Sequence, residues 1–145
     1  KIPAKSTCGE LSTIMDLLPT LTKLAGGQAP TDRVIDGKDI LPLMTAESGA
    51  KSPYEAFYYH TSRGQLAAVR CGKWKLHILP IQPRRKKGQP KPKPITGVQL
   101  YDLSTDINEA TNLVDKNPDV VKKLTELLSA FDKEIEANLR PPGKA

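Results

Sequence analysis

The sequence is poor in the residues most often used for chemistry. Of 145 positions only two are Cys and two are His. Cys8 and Cys71 have no close Cys or His neighbour at zinc-ligand spacing, which excludes a zinc module. One cysteine pair makes no disulfide framework; a single bridge and two free thiols both stay open. Aromatic residues are 5% of the chain, and none interleaves with its basic run, as a single-strand nucleic-acid groove requires. No apolar run approaches the roughly 18 residues of a membrane span. The first ten residues, "KIPAKSTCGE", hold no apolar signal core. No Gly-rich phosphate loop and no Asn-x-Ser/Thr glycosylation site occurs. The chain opens on Lys1 without a Met, as expected of a mature product or a piece of something longer.

What is present has the size of one domain, with 38% hydrophobic and 26% charged residues. The net charge of +6 is concentrated in one place. Residues 84–93, "RRKKGQPKPK", contain Arg84, Arg85, Lys86, Lys87, Lys91 and Lys93 and no acid. Those residues account for the whole excess, so the rest of the chain is neutral and no folded basic face for nucleic acid is expected. The proline-rich surroundings predict a mobile, exposed loop over 82–96. Such a loop is either simply solvated or a grip for phosphate, sulfate or an acidic polymer.

Leu11, Ile14, Met15, Leu18, Leu21 and Leu24 recur at helical spacing and predict one buried stripe on a helix over about 12–25. Pro19 must fall in a first turn or at a kink, and Gly26-Gly27 is a stop. Residues 28–53 read as loop with one helical turn near Asp39–Met44. Strand-like runs follow at 55–60, 65–70, 73–79 and 98–103, with a hairpin turn at Cys71-Gly72. Asn117-Pro118 opens a last helix over about 118–138, with Asn as cap and Pro at the first helical position. Its apolar stripe is Val120, Val121, Leu124, Leu127, Leu128, Phe131 and Ile135. An antiparallel sheet with one apolar face needs a cover, and this helix supplies it. The fold class is therefore α+β, a four-stranded antiparallel sheet covered by a C-terminal helix and preceded by another helix.

Few residues are candidates for chemistry. Cys71, between Arg70 and Lys73, is either a reactive thiolate or a turn cysteine without a role. His60 and His77 are either paired acid–base or binding groups or surface histidines. In "KWKLH", 73–77, strand alternation sets Trp74 toward the core and Lys73, Lys75 and His77 on the other face. "DLSTDINE", 102–109, starts like a calcium loop, with oxygens at Asp102, Ser104 and Asp106. Ile107 stands where the Gly is needed and Leu113 where the Glu is needed, so a capping turn is expected instead.

Four blocks stand in a telling order: "STIMDLLPTLTKLAG", "DGKDILPLM", "FYYH…LAAVRCGKWKLH" and "LYDLSTDINEATNLVDKNPDVVKKL". Together they resemble the C-terminal region of a type I sulfatase of the arylsulfatase family, within the alkaline-phosphatase-like superfamily, over about Leu11 to Leu128. The resemblance implies a larger α/β catalytic domain carrying formylglycine, made from a Cys/Ser-x-Pro-x-Arg motif, and calcium. Neither Cys8 nor Cys71 sits in that motif, no Ser fits it, and the calcium carboxylates have no counterpart. No catalytic residue, metal site or cofactor is therefore expected in this chain.

The resemblance makes residues 1–53 the end of the catalytic-domain region and 54–145 the C-terminal subdomain. It implies packing on the catalytic domain and a role at the pocket edge, with His77, Lys75 and His60 as substrate-binding candidates. Their cationic face would suit a sulfated small molecule or glycan; no nucleic-acid or membrane partner is implied. The family suggests a secreted, periplasmic or lysosomal address. The alternative is a stand-alone polyanion-binding module using residues 84–93.

Overall fold

The chain folds as two units, Lys1–Glu55 and Ala56–Ala145. The computed structural model describes residues 2–82, 90 and 93–139. The basic run, apart from Pro90 and Lys93, lies outside the described residues, and so does most of the loop expected to be mobile. Next to it, Ile81 and Ile95 exchange two backbone hydrogen bonds of 3.0 and 2.9 Å.

In the first unit, a 3-10 turn, Ile14–Asp16, runs into α1, Leu17–Leu24, with Pro19 in the first turn of α1. Thr13 and Asp16 form a capping box at the start: the Thr13 hydroxyl accepts from the Met15 amide, and the Asp16 carboxylate from the Thr13 amide. A short α2, Leu41–Met44, follows the loop, as the sequence predicts. The stripe expected to be buried is not. Ile14 is 80% exposed, Leu18 58% and Leu21 53%. The fully buried side chains on this segment are Asp16 and Thr20.

The reason lies in hydrogen bonds between two of the sequence blocks. Asp16 accepts from the Lys38 amide at 2.8 Å and from the Tyr54 hydroxyl. Thr20 donates to the Asp16 carbonyl at 2.6 Å and accepts from the Ile40 amide at 3.0 Å. Gly37 makes this approach possible, because a Cβ there would stand 2.1 Å from the Met15 carbonyl oxygen. The polar side of the helix is thus taken by the loop 36–40, and its apolar side is left outward.

The second unit has the expected α+β plan. β1 (Ala56–His60), β2 (Leu66–Cys71), β3 (Trp74–His77) and β4 (Gln99–Asp102) form one antiparallel sheet in chain order. The β2–β3 turn lies one residue later than the sequence suggests. Cys71 pairs with Trp74, and Gly72-Lys73 is the turn, with Gly72 at φ +55°. A two-residue hairpin needs that left-handed geometry at its first position, which glycine adopts freely. Cys71 therefore belongs to a strand, and both cysteines are free.

One sheet face carries Val69, Leu76 and Leu100, and α3 (Pro118–Ala137) closes it with Leu124 and Leu128. Val120, Val121 and Leu127 pack around that cluster, and Phe131 stacks on Tyr58 at 3.7 Å. Trp74 packs against the same core and is only partly buried. Asn117 stands at the N-cap position but does not cap; its amide donates to the Leu113 carbonyl at 3.1 Å. Pro118 follows at the first helical position, which needs no backbone donor.

Candidate functional site

Strand alternation sends Trp74 and Leu76 to the α3 side and Lys75 and His77 to the opposite face. Across the ladder, Lys75 is paired with Arg70 and Tyr101, and His77 with Ala68 and Gln99. This second face is not a solvated one: Ala68, Gln99 and Tyr101 on it are buried. The Lys75 ammonium lies 4.8 Å from the Tyr59 ring centre, and the His77 ring meets Tyr101 edge-on at 5.9 Å.

One carboxylate ties the two candidates together. Glu109 accepts from Lys75 Nζ at 2.5 Å through Oε1 and is bonded to His77 Nε2 at 2.9 Å through Oε2. The side chains of the trio are only 16%, 15% and 23% exposed for Lys75, His77 and Glu109. Burial holds the His77 ring below its ordinary pKa, and the Lys75 ammonium adds to this. Glu109 opposes both without reversing them. Desolvation likewise pushes the Tyr101 hydroxyl up, with help from Glu109 and Asp106.

The loop after β4 delivers Glu109. Asp102 Oδ1 accepts from the Ser104 amide at 3.0 Å, and the Asp106 carboxylate takes the Ala110 and Thr111 amides at 2.8 Å each. Glu109 itself sits at φ +55°. Leu113 then returns to β4, donating to the Leu100 carbonyl at 2.8 Å, while Asn112 accepts from the Leu100 amide. The carboxylates of "DLSTDINE" thus fold the loop, as the capping reading expects. Asp102 also pairs with Lys73 at 2.7 Å. Hydrogen bonds from Lys73 and Ser104 hold Asp102 below the usual carboxylate range, and backbone amides do the same for Asp106.

The three candidates from sequence do not form one group. His60 lies at the end of β1, beyond a register shift, paired with Leu66, whose side chain packs on the α3 core. Its ring is 6.0 Å from Phe131 of α3, and the residue is exposed. It is therefore on the opposite side of the sheet from Lys75 and His77. Plain alternation along β1 puts it there: Tyr58 and His60 meet Phe131 of α3, and Tyr59 between them meets Lys75 on the other face. Sequence reading also missed Glu109 and Gln99. Glu109 is more than 30 positions from its two partners, and no local spacing announces such a contact. Among the described residues no group of three His, Cys, Asp or Glu side chains is placed to hold a metal ion.

A four-stranded antiparallel sheet, one covering helix and a charge-paired second face define a small α+β module. Residues 52–141 match the family model described as the C-terminal region of aryl-sulfatase, and the chain belongs to that family. It is 34% identical over 143 residues to arylsulfatase A of Bos taurus, covering 85% of this chain and 27% of the relative. It is 45% identical over 79 residues to N-acetylgalactosamine-6-sulfatase of Canis lupus familiaris, covering 54% of this chain and 14% of that protein. The crystal structure of the sulfatase PsFucS1 from Pseudoalteromonas sp. shares the fold at TM-score 0.72 and 19% identity, over 94% of this chain and 28% of that one. The chain thus spans about a quarter or less of the length of these relatives.

Proposed function

We propose that this chain serves as the C-terminal region of a sulfuric-ester hydrolase, packs against its catalytic domain and edges the substrate pocket. The carrying observation is the outward apolar face shared by α1 and the 3-10 turn that leads into it. Ile14, Leu18 and Leu21 stand at i, i+4 and i+7 with more than half of each exposed. A contiguous apolar face of that kind marks an interaction surface. The complementary surface belongs to the remainder of a chain several times longer, which the relatives possess.

The catalytic chemistry lies outside these residues. The sequence has no Cys/Ser-x-Pro-x-Arg motif from which formylglycine is made. The acidic groups do not fit calcium either, because Asp102 and Asp106 are occupied by Lys73, Ser104 and backbone amides. Formylglycine and calcium are assigned to the catalytic domain, as are the steps that break the ester. On this reading the β3 face, with Lys75 and His77, meets the sulfated small molecule or glycan; His60, on the other side of the sheet, does not join it. The secreted, periplasmic or lysosomal address rests on family membership alone, and no helix among the described residues is long and apolar enough to cross a membrane. No observation favours the polyanion-module reading.

The test is complementation. The chain alone, given a chromogenic aryl sulfate and calcium, is expected to show no turnover above a blank. Co-expression with the catalytic portion should give a stable, active complex, and Leu18→Asp with Leu21→Asp should abolish its assembly. Turnover by the chain alone that disappears when either cysteine is substituted would overturn the proposal.

A further inference from the structure

We propose that Glu109 is a positioning residue for the pocket edge: it acts through His77, fixing the ring so that an unprotonated Nδ1 is what the pocket meets. This rests on the reading that the β3 face edges the substrate pocket. A carboxylate is only an acceptor, so the nitrogen it holds, His77 Nε2, carries a hydrogen. The other carboxylate oxygen is taken by the Lys75 ammonium. Arg70, opposite Lys75 on the same face, adds a second cation. Burial first, and then Lys75, hold the ring below its ordinary pKa against the pull of Glu109, so it is neutral near pH 7. A neutral ring protonated at Nε2 has a bare Nδ1, which is an acceptor.

Nδ1 is within reach of an outside group. Among the described residues it has no hydrogen-bond partner, and the one buried side-chain nitrogen or oxygen without a partner is Gln99 Oε1. Nδ1 is therefore open at the surface. Glu109 itself has both oxygens engaged and can act only through what it holds. Its backbone, at φ +55°, lies in the left-handed region that favours glycine. The Asp106 carboxylate accepts the Ala110 and Thr111 amides just beyond it. A side-chain-bearing residue kept in that conformation by its own loop is constrained in where its side chain goes.

The isosteric change Glu109→Gln separates this role from mere packing. Glutamine has one acceptor oxygen and one NH₂ group. An ammonium only donates, so the oxygen goes to Lys75 and the NH₂ group is left facing His77 Nε2. A ring nitrogen that accepts from NH₂ carries no hydrogen, so the proton moves to Nδ1. The outward nitrogen is thereby turned from an acceptor into a donor, with no change in the size of the side chain at 109.

Two measurements decide it. In the 145-residue chain, ring ¹⁵N NMR of His77 near pH 7 should show a neutral imidazole with the proton on Nε2. Glu109→Gln should move that proton to Nδ1, and Glu109→Asp, still an acceptor only, should keep it on Nε2. A doubly protonated ring, or the same tautomer with Glu and with Gln at 109, overturns the inference whatever the fate of the pocket reading. In the complete sulfatase, kcat/KM for a chromogenic aryl sulfate is measured for Glu109→Gln, His77→Ala and the double variant. Each single change should cost about tenfold, and the double variant should lose no more than His77→Ala alone, because Glu109 acts through the ring. Losses that multiply, or an unimpaired Glu109→Gln enzyme beside an impaired His77→Ala one, overturn the inference and leave the pocket reading standing. If His77→Ala changes nothing, the pocket reading fails and takes the inference with it.

Discussion

The two units bury opposite kinds of side chain. In the second, Val69, Leu76, Leu100, Leu124 and Leu128 form the interior, and most charged groups stay outside it. In the first, the most deeply buried side chains are Asp16 and Thr20, while the leucines of α1 face outward. Ile40 and Leu43 are its few buried apolar residues. The second unit is held by apolar burial, which is non-directional and scales with area. The first is held by directional hydrogen bonds between two loops and a helix start, each dependent on one residue. An element built in that second way keeps its apolar face for something else.

The sharpest way to break this contrast is to truncate a leucine in each unit. Leu76→Ala should cost about 2–5 kcal/mol, because a fully buried side chain leaves a cavity. Leu21→Ala, at a half-exposed position, should cost less than about 1 kcal/mol in the same chain. Denaturant unfolding measures both, and equal losses would show that α1 is buried as a core helix after all.

Next in size is Gly37→Ala. A methyl 2.1 Å from the Met15 carbonyl forces the loop off the helix, with loss of the Lys38–Asp16 and Ile40–Thr20 hydrogen bonds. The expected cost is about 2–3 kcal/mol, confined to the first unit. Amide hydrogen exchange should accelerate at Lys38 and Ile40 and stay slow in α3. Unchanged exchange at those two amides would mean that the close approach is not what joins the blocks.

A pH titration should separate the units again. Burial alone would raise Asp16, but hydrogen bonds from Tyr54, Lys38 and Thr13 outweigh it and hold the carboxyl below its ordinary value. Its contribution is therefore fully present above an unfolded pKa of about 3.9 and is lost as pH falls through the lower folded value. Tyr54 is shifted the other way, to about 12, by burial and by Asp16. Its contribution is full below about 10, the unfolded value, and is lost as pH rises through the folded one. NMR signals of the Thr13 and Lys38 amides should hold between those limits and broaden outside them, while the methyls of Leu76 and Leu124 persist further at both ends.

The smallest effects concern helix starts. Thr13→Ala removes a working capping box and should cost about 1 kcal/mol. Asn117→Ala removes no cap and should cost less, about 0.5 kcal/mol, for one hydrogen bond to Leu113. Thermal melts of the two variants make the comparison, and a larger loss at Asn117 would reinstate it as a cap.

Much of this was legible in the residues because it depends on local periodicity. The strands, Pro19 in a first turn, the short helix near Leu41 and the stripe of α3 follow from spacing, since side-chain direction repeats with the backbone. The same rule set Lys75 and His77 on one face. It also sets His60 on the opposite face, two residues along β1 from Tyr58. It failed for α1, whose period is that of a buried stripe although its apolar side faces outward. Periodicity identifies an apolar face and says nothing about where the covering surface resides.

The sequence by itself determined the α+β plan, the family blocks and the lack of the sulfatase nucleophile motif, because each is a matter of residue order or local repeat. Only the tertiary structure decided the charge of the candidate site. Lys75 and His77 read as a cationic pair until the loop after β4 brings Glu109 between them. Folding also turns Asp16 inward in the first unit and leaves Gln99 Oε1 in the second without a hydrogen-bond partner among the described residues. Contacts across tens of residues, and the desolvation that goes with them, arise when distant segments meet, and no spacing along the chain encodes them.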